Sequence, residues 1–512
     1  MISHNTRKTN LLIITIILFL AFSIRVFDLE NNPPGFFSDE AAIGYNAYKI
    51  LKTGKDEYGV PFPIFFKSFG DYRLPIPIYA NIPIIALFGL NERSVRLTAV
   101  IFGLISILFT MLSTLEIADK RTAYLAGLLL AIMPWHIHFS RWGAESIYFP
   151  AIFSIGLYFY LKSFINLRLL SISSLFYGLS MYTYYPAIII APIFLLKGLI
   201  TLYIIKRKFN KFLYYSLFTF LLFCLPLIYS YKAGNLQSRW KNIINNSLSR
   251  NEKIQNSIFS YLNHFSPDFL FIKGDSGFEG QFISRHSVRE FGQLHIFYLP
   301  LLLIGLLNGI SKLDNPKLFS VLILLLLYPL GSALTSAGPF ATRSVIGLIP
   351  LTILSAIGFN QLLNFIFNLK QKYIHVSIGV LLFGIICFTN YFYFFAFFIK
   401  YPKYASDYWG WQYGPKSIMS YFIKEKNNYD DLYMTGNFNA PDIFLEFYDP
   451  ENECQNCKIG HFEEVNTSRK QLFAARIEEL PKFKAYNYKV KKILYYPSNI
   501  VAFYIFEITG NK

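Results

Sequence analysis

Charge is scarce in this chain. Only 15% of its 512 residues are Asp, Glu, Lys or Arg, where a soluble globular domain carries about a quarter. Cysteine is scarce too, with four in all. Cys224 and Cys387 lie inside apolar runs, whereas Cys454 and Cys457 form a lone C-x-x-C in the polar tail. With no second pair, that motif suits a small disulfide outside the cytoplasm better than a zinc site. A nucleotide-binding signature and an internal repeat are both missing, and the second absence weakens a transporter reading. The net charge of +17 comes without a soluble basic domain or recognition motif, which excludes a nucleic-acid partner.

What the chain does have is apolar length: 54% of its residues are hydrophobic and 19% aromatic. Apolar runs place spans near 10–28, 94–117, 121–139, 146–164, 168–184, 186–205, 211–231, 294–311, 317–334, 343–367 and 374–399. This is the pattern of a polytopic membrane protein with about eleven helices, 12 or 13 being the alternative count. The first run is span-length and lacks a small-residue cleavage site, which argues against a cleaved signal peptide. The run 74–90 holds Pro75, Pro77, Pro83 and Asn81. If it lies along the surface or dips in without crossing, Arg7, Lys8, Lys120, Arg121, Arg168, Lys206, Arg207, Lys208, Lys211, Lys312, Lys317, Lys370 and Lys372 all fall in cytoplasmic loops. That positive-inside pattern puts the N-terminus inside and the C-terminus outside.

The polar material then gathers outside, in a first loop (29–93), the turn carrying Arg141 and Glu145, a long loop (232–293), the turn before Arg343 and the tail. We divide the chain into a membrane domain (1–400) and an extracytoplasmic C-terminal domain (401–512). Strand-like runs at 492–496 and 500–506 and a helix-like piece near 417–424 make the tail a small α/β or α+β domain.

Just beyond the first span stands Ser38-Asp39-Glu40-Ala41. Two adjacent carboxylates at a membrane face suit proton transfer or metal binding; the competing reading is that Ser38-Asp39 caps the helix that follows. Arginines at the outer face suit a lipid phosphate, since a planar fork matches it better than an ammonium, while each could equally snorkel and anchor a helix end. Glu145, four residues after Arg141, predicts an intrahelical pair of about 0.3–0.5 kcal/mol or a second active-site acid. His136 and His138, two apart, do not share a helix face. Tyr182, Tyr184 and Tyr185 suit an interfacial belt more than a sugar pocket.

Taken in order, these segments resemble the dolichyl-phosphate-mannose protein mannosyltransferases, relatives of the lipid A aminoarabinose transferase with the GT-C fold (family 39-like). The residues that carry the resemblance are Ser38–Ala41 with Tyr45 and Ala47, Gly54, Gly59, Asp71-Tyr72-Arg73-Leu74-Pro75, Leu87–Leu97, Phe139–Glu145, Phe271–Asp275, Arg285-His286, and Arg343 with Pro350. Relatives often carry Lys-Pro where this chain has Arg73-Leu74-Pro75. The resemblance implies an inverting transfer of a hexosyl or pentosyl unit from a polyprenyl-phosphate carrier to an acceptor hydroxyl on protein, lipid A or a cell-envelope glycan. The setting implied is the plasma or inner membrane, with the site facing away from the cytoplasm. It implies Asp39 as base with Glu40 and Glu145 as further catalytic acids, and Arg73, Arg96, Arg141, Arg343 and Tyr45 as binding residues for phosphate or sugar. Asp71 and His286 are the candidates for a divalent metal, the one cofactor considered. A lipid-glycan transporter or flippase is the alternative; a ligase moving a whole glycan and a non-enzymatic scaffold are further readings.

Overall fold

The computed structural model describes residues 4–207, 210–237, 249–278, 284–335, 338–408 and 410–511. Helices account for most of the described positions up to residue 404. Seven are long and apolar enough to cross a bilayer, or eight if Lys120–Ile132 and Pro134–Ser140, bent by 61° at their junction, form one broken span. Pro134 lacks the N–H that would continue the first helix and instead opens the second. The expected count of eleven is therefore not reached on length alone. Leu169–Ser180 and Tyr298–Ser311, where two further spans are expected, are shorter apolar helices. Pro75–Phe88 has 14 residues, about 21 Å of helix against a hydrocarbon core of about 30 Å.

The helices share one core in which Trp135, Tyr148, Tyr160, Tyr177, Tyr298 and Tyr328 are almost wholly enclosed. Close backbone approach holds part of it together. Gly305 and Gly358 sit where an added Cβ would lie 1.8 Å and 1.9 Å from a facing carbonyl oxygen, so the helices Tyr298–Ser311 and Leu348–Phe367 pack with almost nothing between them. Polar side chains here are tied inward. Arg25 donates to the carbonyls of Ala21 (2.9 Å) and Ala131 (3.0 Å) and lies 2.6 Å from His136 Nδ1. His136 Nε2 meets Ser106 at 2.7 Å, while His138 Nε2 meets the Arg285 carbonyl at 2.6 Å.

The tail is an α/β domain. Its five-stranded mixed sheet runs in the order Cys457–Ile459, Asp431–Met434, Gln471–Ala475, Val501–Asn511, Tyr486–Tyr495; the first two pairings are parallel and the last two antiparallel. Pro415–Glu425 and Asp442–Tyr448 are its helices, and Cys454 is bonded to Cys457. The tail is not a tethered appendage. Its residues Phe422, Phe444, Phe447 and Phe503 share a buried cluster with Phe36, Ala41, Ala42, Tyr45 and Val95 of the membrane domain. Gly44 admits this packing, because a Cβ there would lie 2.7 Å from both Phe447 and Val95.

Candidate active site

The polar segment that follows the first long helix folds into the helix Ser38–Thr53 and a hairpin, Phe66–Ser68 with Asp71–Arg73. Alanine and glycine on the helix let it pack tightly, and Gly54, at φ 70°, ends it. Ser38 and Asp39 are not its cap. The helix begins at Ser38, and Glu40 reaches back to accept the Phe37 N–H at 3.2 Å, which frees the carboxylate of Asp39 for another role.

That role is set by Arg73. Its Nη2 lies 2.5 Å from Asp39 Oδ1 and its Nη1 2.6 Å from Glu145 Oε1, and Nε donates to Ser68 Oγ at 2.9 Å. One guanidinium thus joins acids that are 34 and 72 residues from it in sequence. Burial works against the Arg73 charge, but the two carboxylates outweigh it and hold its proton more firmly than usual. Glu145 therefore pairs with Arg73 rather than with Arg141, because residues 141–144 leave the helix and Glu145 opens a separate 3₁₀ turn.

A second cationic wall comes from the loops around Asp275. Arg285 lays its guanidinium 3.8 Å over the Phe37 ring, at the head of the helix that carries Asp39. Burial lowers its pKa to about 10, and the charge of Asp39 is the largest opposing influence. His286 is flanked by the rings of Phe340 (5.3 Å) and Trp142 (5.9 Å). Burial, and after it the charges of Arg285 and Arg343, holds this imidazole neutral. Arg343 stacks over Phe340 at 4.6 Å and donates to Thr335 Oγ1 at 2.9 Å. Beneath them Asp275 accepts from the Ala341 N–H (3.0 Å) and from the Ser287 hydroxyl, tying two loops together. Burial raises its pKa to about 6.

Four expected site residues turn out to be framework. Arg96 is wholly enclosed; it meets Glu40 at 3.1 Å and donates to the carbonyls of Leu29 and Pro33, each at 3.1 Å, and of Gly35. Glu40, equally enclosed, also accepts from the Gly143 N–H at 2.9 Å. Burial pushes its carboxyl up, more than Arg96 and these backbone donors pull it down. Arg141 is enclosed as well, and its two terminal nitrogens donate to the carbonyls of Ile24, Arg25, Phe27, Asp28 and Asn32. Both guanidinium groups are enclosed, and Nε of Arg141 is the one of their nitrogens without a partner. Tyr45 faces the tail, where its hydroxyl bonds to Glu446.

The metal reading also changes. Among the described residues no three His, Cys, Asp or Glu gather to hold an ion. His286 lies 3.7 Å from Asp275 rather than with Asp71, whose carboxylate accepts the next backbone N–H. The side chains do not fit a divalent metal. Arg285 is the residue the sequence reading passed over; its signal was the Arg285-His286 pair, from which only the histidine was taken.

Residues 75–229 match the sequence model of the dolichyl-phosphate-mannose-protein mannosyltransferase family. Compared by sequence with curated proteins, the chain matches none. Its fold is similar to that of ArnT from Cupriavidus metallidurans bound to undecaprenyl phosphate, with a TM-score of 0.53, 12% identity, and coverage of 99% of this chain and 98% of that one. The Archaeoglobus fulgidus oligosaccharyltransferase tethered to an acceptor peptide is similar at a TM-score of 0.55 and 13% identity, covering 96% of this chain and 74% of that one. The same archaeal enzyme with an inhibitory peptide and a dolichol-phosphate gives a TM-score of 0.54 at 13% identity, covering 98% and 74%. The fold is GT-C. The helix carrying Asp39 and the hairpin carrying Arg73 precede or adjoin the matched segment, and Glu145 lies within it.

Proposed function

We propose that this protein is an inverting glycosyltransferase that moves a sugar from a polyprenyl-phosphate carrier to an acceptor hydroxyl, at the extracytoplasmic face of the plasma or inner membrane. The single observation that carries the reading is Arg73 held between Asp39 and Glu145, with Arg285 next to Asp39. The lipid carriers and acceptor peptide bound by the GT-C neighbours support the same substrate class.

Asp39, its side chain 28% exposed against 16% for Glu145, is the reachable base. It takes the proton of the acceptor hydroxyl as that oxygen attacks the anomeric carbon. The bond from that carbon to the phosphate oxygen breaks, and the electron pair leaves with the phosphate. Arg285 and Arg343 stabilise the anion by charge and hydrogen bonding, and Arg73, whose fork is held by Asp39 and Glu145, adds its charge. Glu145 holds the second arm of Arg73 and keeps the fork aimed. Displacement with one base and no covalent glycosyl-enzyme inverts the anomeric centre.

The test is transfer from a panel of synthetic polyprenyl-phosphate sugars by purified wild type beside Asp39→Asn. The amide keeps the shape and removes the base, so transfer falls about 10²-fold or more. Equal turnover by both forms removes Asp39 from the chemistry.

A further inference from the structure

Between the helix Ser38–Thr53 and the turn of the hairpin, the chain presents a row of apolar side chains to the outside. Tyr58, Val60, Phe62 and Ile64 are 48–66% exposed. Phe62 (φ 40°) and Phe69 (φ 51°) hold left-handed backbone that bulky residues seldom adopt, and strain of this kind persists where the surrounding structure imposes it. Gly54 helps to impose it: the Phe62 N–H donates to its carbonyl at 3.0 Å, and a Cβ there would lie 3.1 Å from the Phe62 ring. A fixed backbone therefore holds the row outward.

That backbone has no free donor. From 55 to 63 every N–H is bonded within the protein or absent. Lys55 donates to Thr53 Oγ1, Asp56 to the Val60 carbonyl and Glu57 to Asn46 Oδ1. Tyr58 and Val60 donate to Asp56 Oδ1, Gly59 to the Asp56 carbonyl and Phe62 to Gly54, while Pro61 and Pro63 have no N–H. Unpaired backbone groups are what keep irregular chain out of a lipid environment. The charges sort in the same way. Of the four charged residues between 55 and 67, Asp56 is buried and Glu57 is half-buried, accepting from Asn46 Nδ2 at 3.1 Å. Lys55 and Lys67 are exposed, and Lys67 Nζ lies 5.1 Å over the Tyr58 ring. Apolar rings beside ammonium groups fit the boundary between acyl chains and anionic headgroups. The row is also continuous with the apolar belt, because the Pro63 carbonyl accepts at 3.0 Å from the hydroxyl of Tyr79, on the apolar helix Pro75–Phe88.

We infer that the stretch 58–64 is seated in the bilayer leaflet on the active-site side, and that this seat sets the height of the hairpin for a lipid-borne donor. Its occupant is the lipid surface itself. From Ile64 the chain runs almost directly into the hairpin, where the Arg73 guanidinium lies 5.3 Å over the Phe69 ring. The word donor rests on the transferase reading; the seat does not.

A nitroxide at Phe62→Cys reads the depth, in a full chain carrying Cys224→Ser and Cys387→Ser with the Cys454–Cys457 bond intact. The chain is held in nanodiscs of phosphatidylethanolamine and phosphatidylglycerol, with a label at Ser468→Cys as the aqueous reference. For a face about 5–10 Å into the headgroup and acyl boundary, the ratio of collisions with oxygen to collisions with a water-soluble nickel chelate is about tenfold higher at 62 than at 468. A label at Ile64→Cys serves in its place should a thermal melt show Phe62→Cys to be unfolded. Equal ratios at the two positions overturn the inference, and so does protection from both reagents, which marks a protein contact. In bilayers, Val60→Ser with Ile64→Ser raises KM for a long-chain polyprenyl-phosphate sugar about three- to tenfold through lost apolar contact, with kcat unchanged and no effect on a short, water-soluble analogue. An unchanged KM overturns the link between seat and donor. If no form transfers any donor while the label still reads lipid, the transferase reading falls and the seat stands.

Discussion

Arg73 Nη2 lies 2.5 Å from Asp39 Oδ1, an ion pair between side chains 11% and 28% exposed. The arginine comes from a three-residue strand and the aspartate from the second residue of a helix. Their meeting, with Glu145 on the other arm of the fork, turns three separated polar residues into one site.

Arg73→Ala leaves Asp39 and Glu145 without their shared cation and removes a positive charge from beside the leaving phosphate. Transfer is expected to fall by about 10²- to 10³-fold. Arg73→Lys recovers part of this, because an ammonium supplies charge but cannot bridge both acids as a fork does. Steady-state transfer rates on the three proteins check the order wild type, lysine, alanine.

Glu40 and Arg96 are expected to behave as framework. Glu40→Gln or Arg96→Leu strands the partner charge in a dry interior, at a cost of about 3–5 kcal/mol. Thermal unfolding in detergent reads this loss. Transfer per folded molecule at saturating donor changes far less than it does for Arg73→Ala. A selective rise in KM for the lipid donor in Arg96→Leu would return that arginine to the phosphate site.

Asp275 predicts a pH signature. Its pKa is raised from 3.8 to about 6 by burial, so between those values the folded form binds more protons than the unfolded form. Stability from this group is accordingly highest below about pH 4 and is lost as pH rises to about 6, after which the penalty is constant at about 3 kcal/mol. Asp275→Asn removes that slope while keeping an oxygen for the Ala341 N–H. The melting-temperature difference, mutant minus wild type, therefore grows between pH 4 and 6 and levels off above. A flat difference across that window counts against a buried, protonatable Asp275.

The orientation is open to labelling. In a cysteine-free background, a cysteine at Ser468 in the tail is modified by an impermeant thiol reagent in intact cells, whereas one at Arg207 is modified only after permeabilisation. Labelling of the Arg207 position from outside reverses the proposed sidedness.

Much of the architecture is legible along the chain because span length and the period-two pattern of strands are local properties. The apolar runs mark the helices, the 492–496 and 500–506 runs mark the paired strands Tyr486–Tyr495 and Val501–Asn511, and Ser417–Lys424 marks the helix Pro415–Glu425. The break at Pro134 and the short helices Leu169–Ser180 and Tyr298–Ser311 are less legible, since hydropathy does not report where a helix bends inside a bundle. Asp39, Arg73 and Glu145 are legible as charged residues of the polar segments between apolar runs, at positions the family resemblance picks out.

Composition and periodicity act residue by residue, and so the chain alone specifies a helical membrane protein with a small α/β or α+β tail and a set of charged residues at the ends of its apolar runs. Which charge does which work is set by contacts between distant segments. Arg73 and Arg96 carry the same guanidinium, yet one lies against partly open carboxylates and the other is spent on Glu40 and backbone carbonyls. Burial and the count of remaining hydrogen-bond partners make that difference, and both depend on segments far apart in the chain.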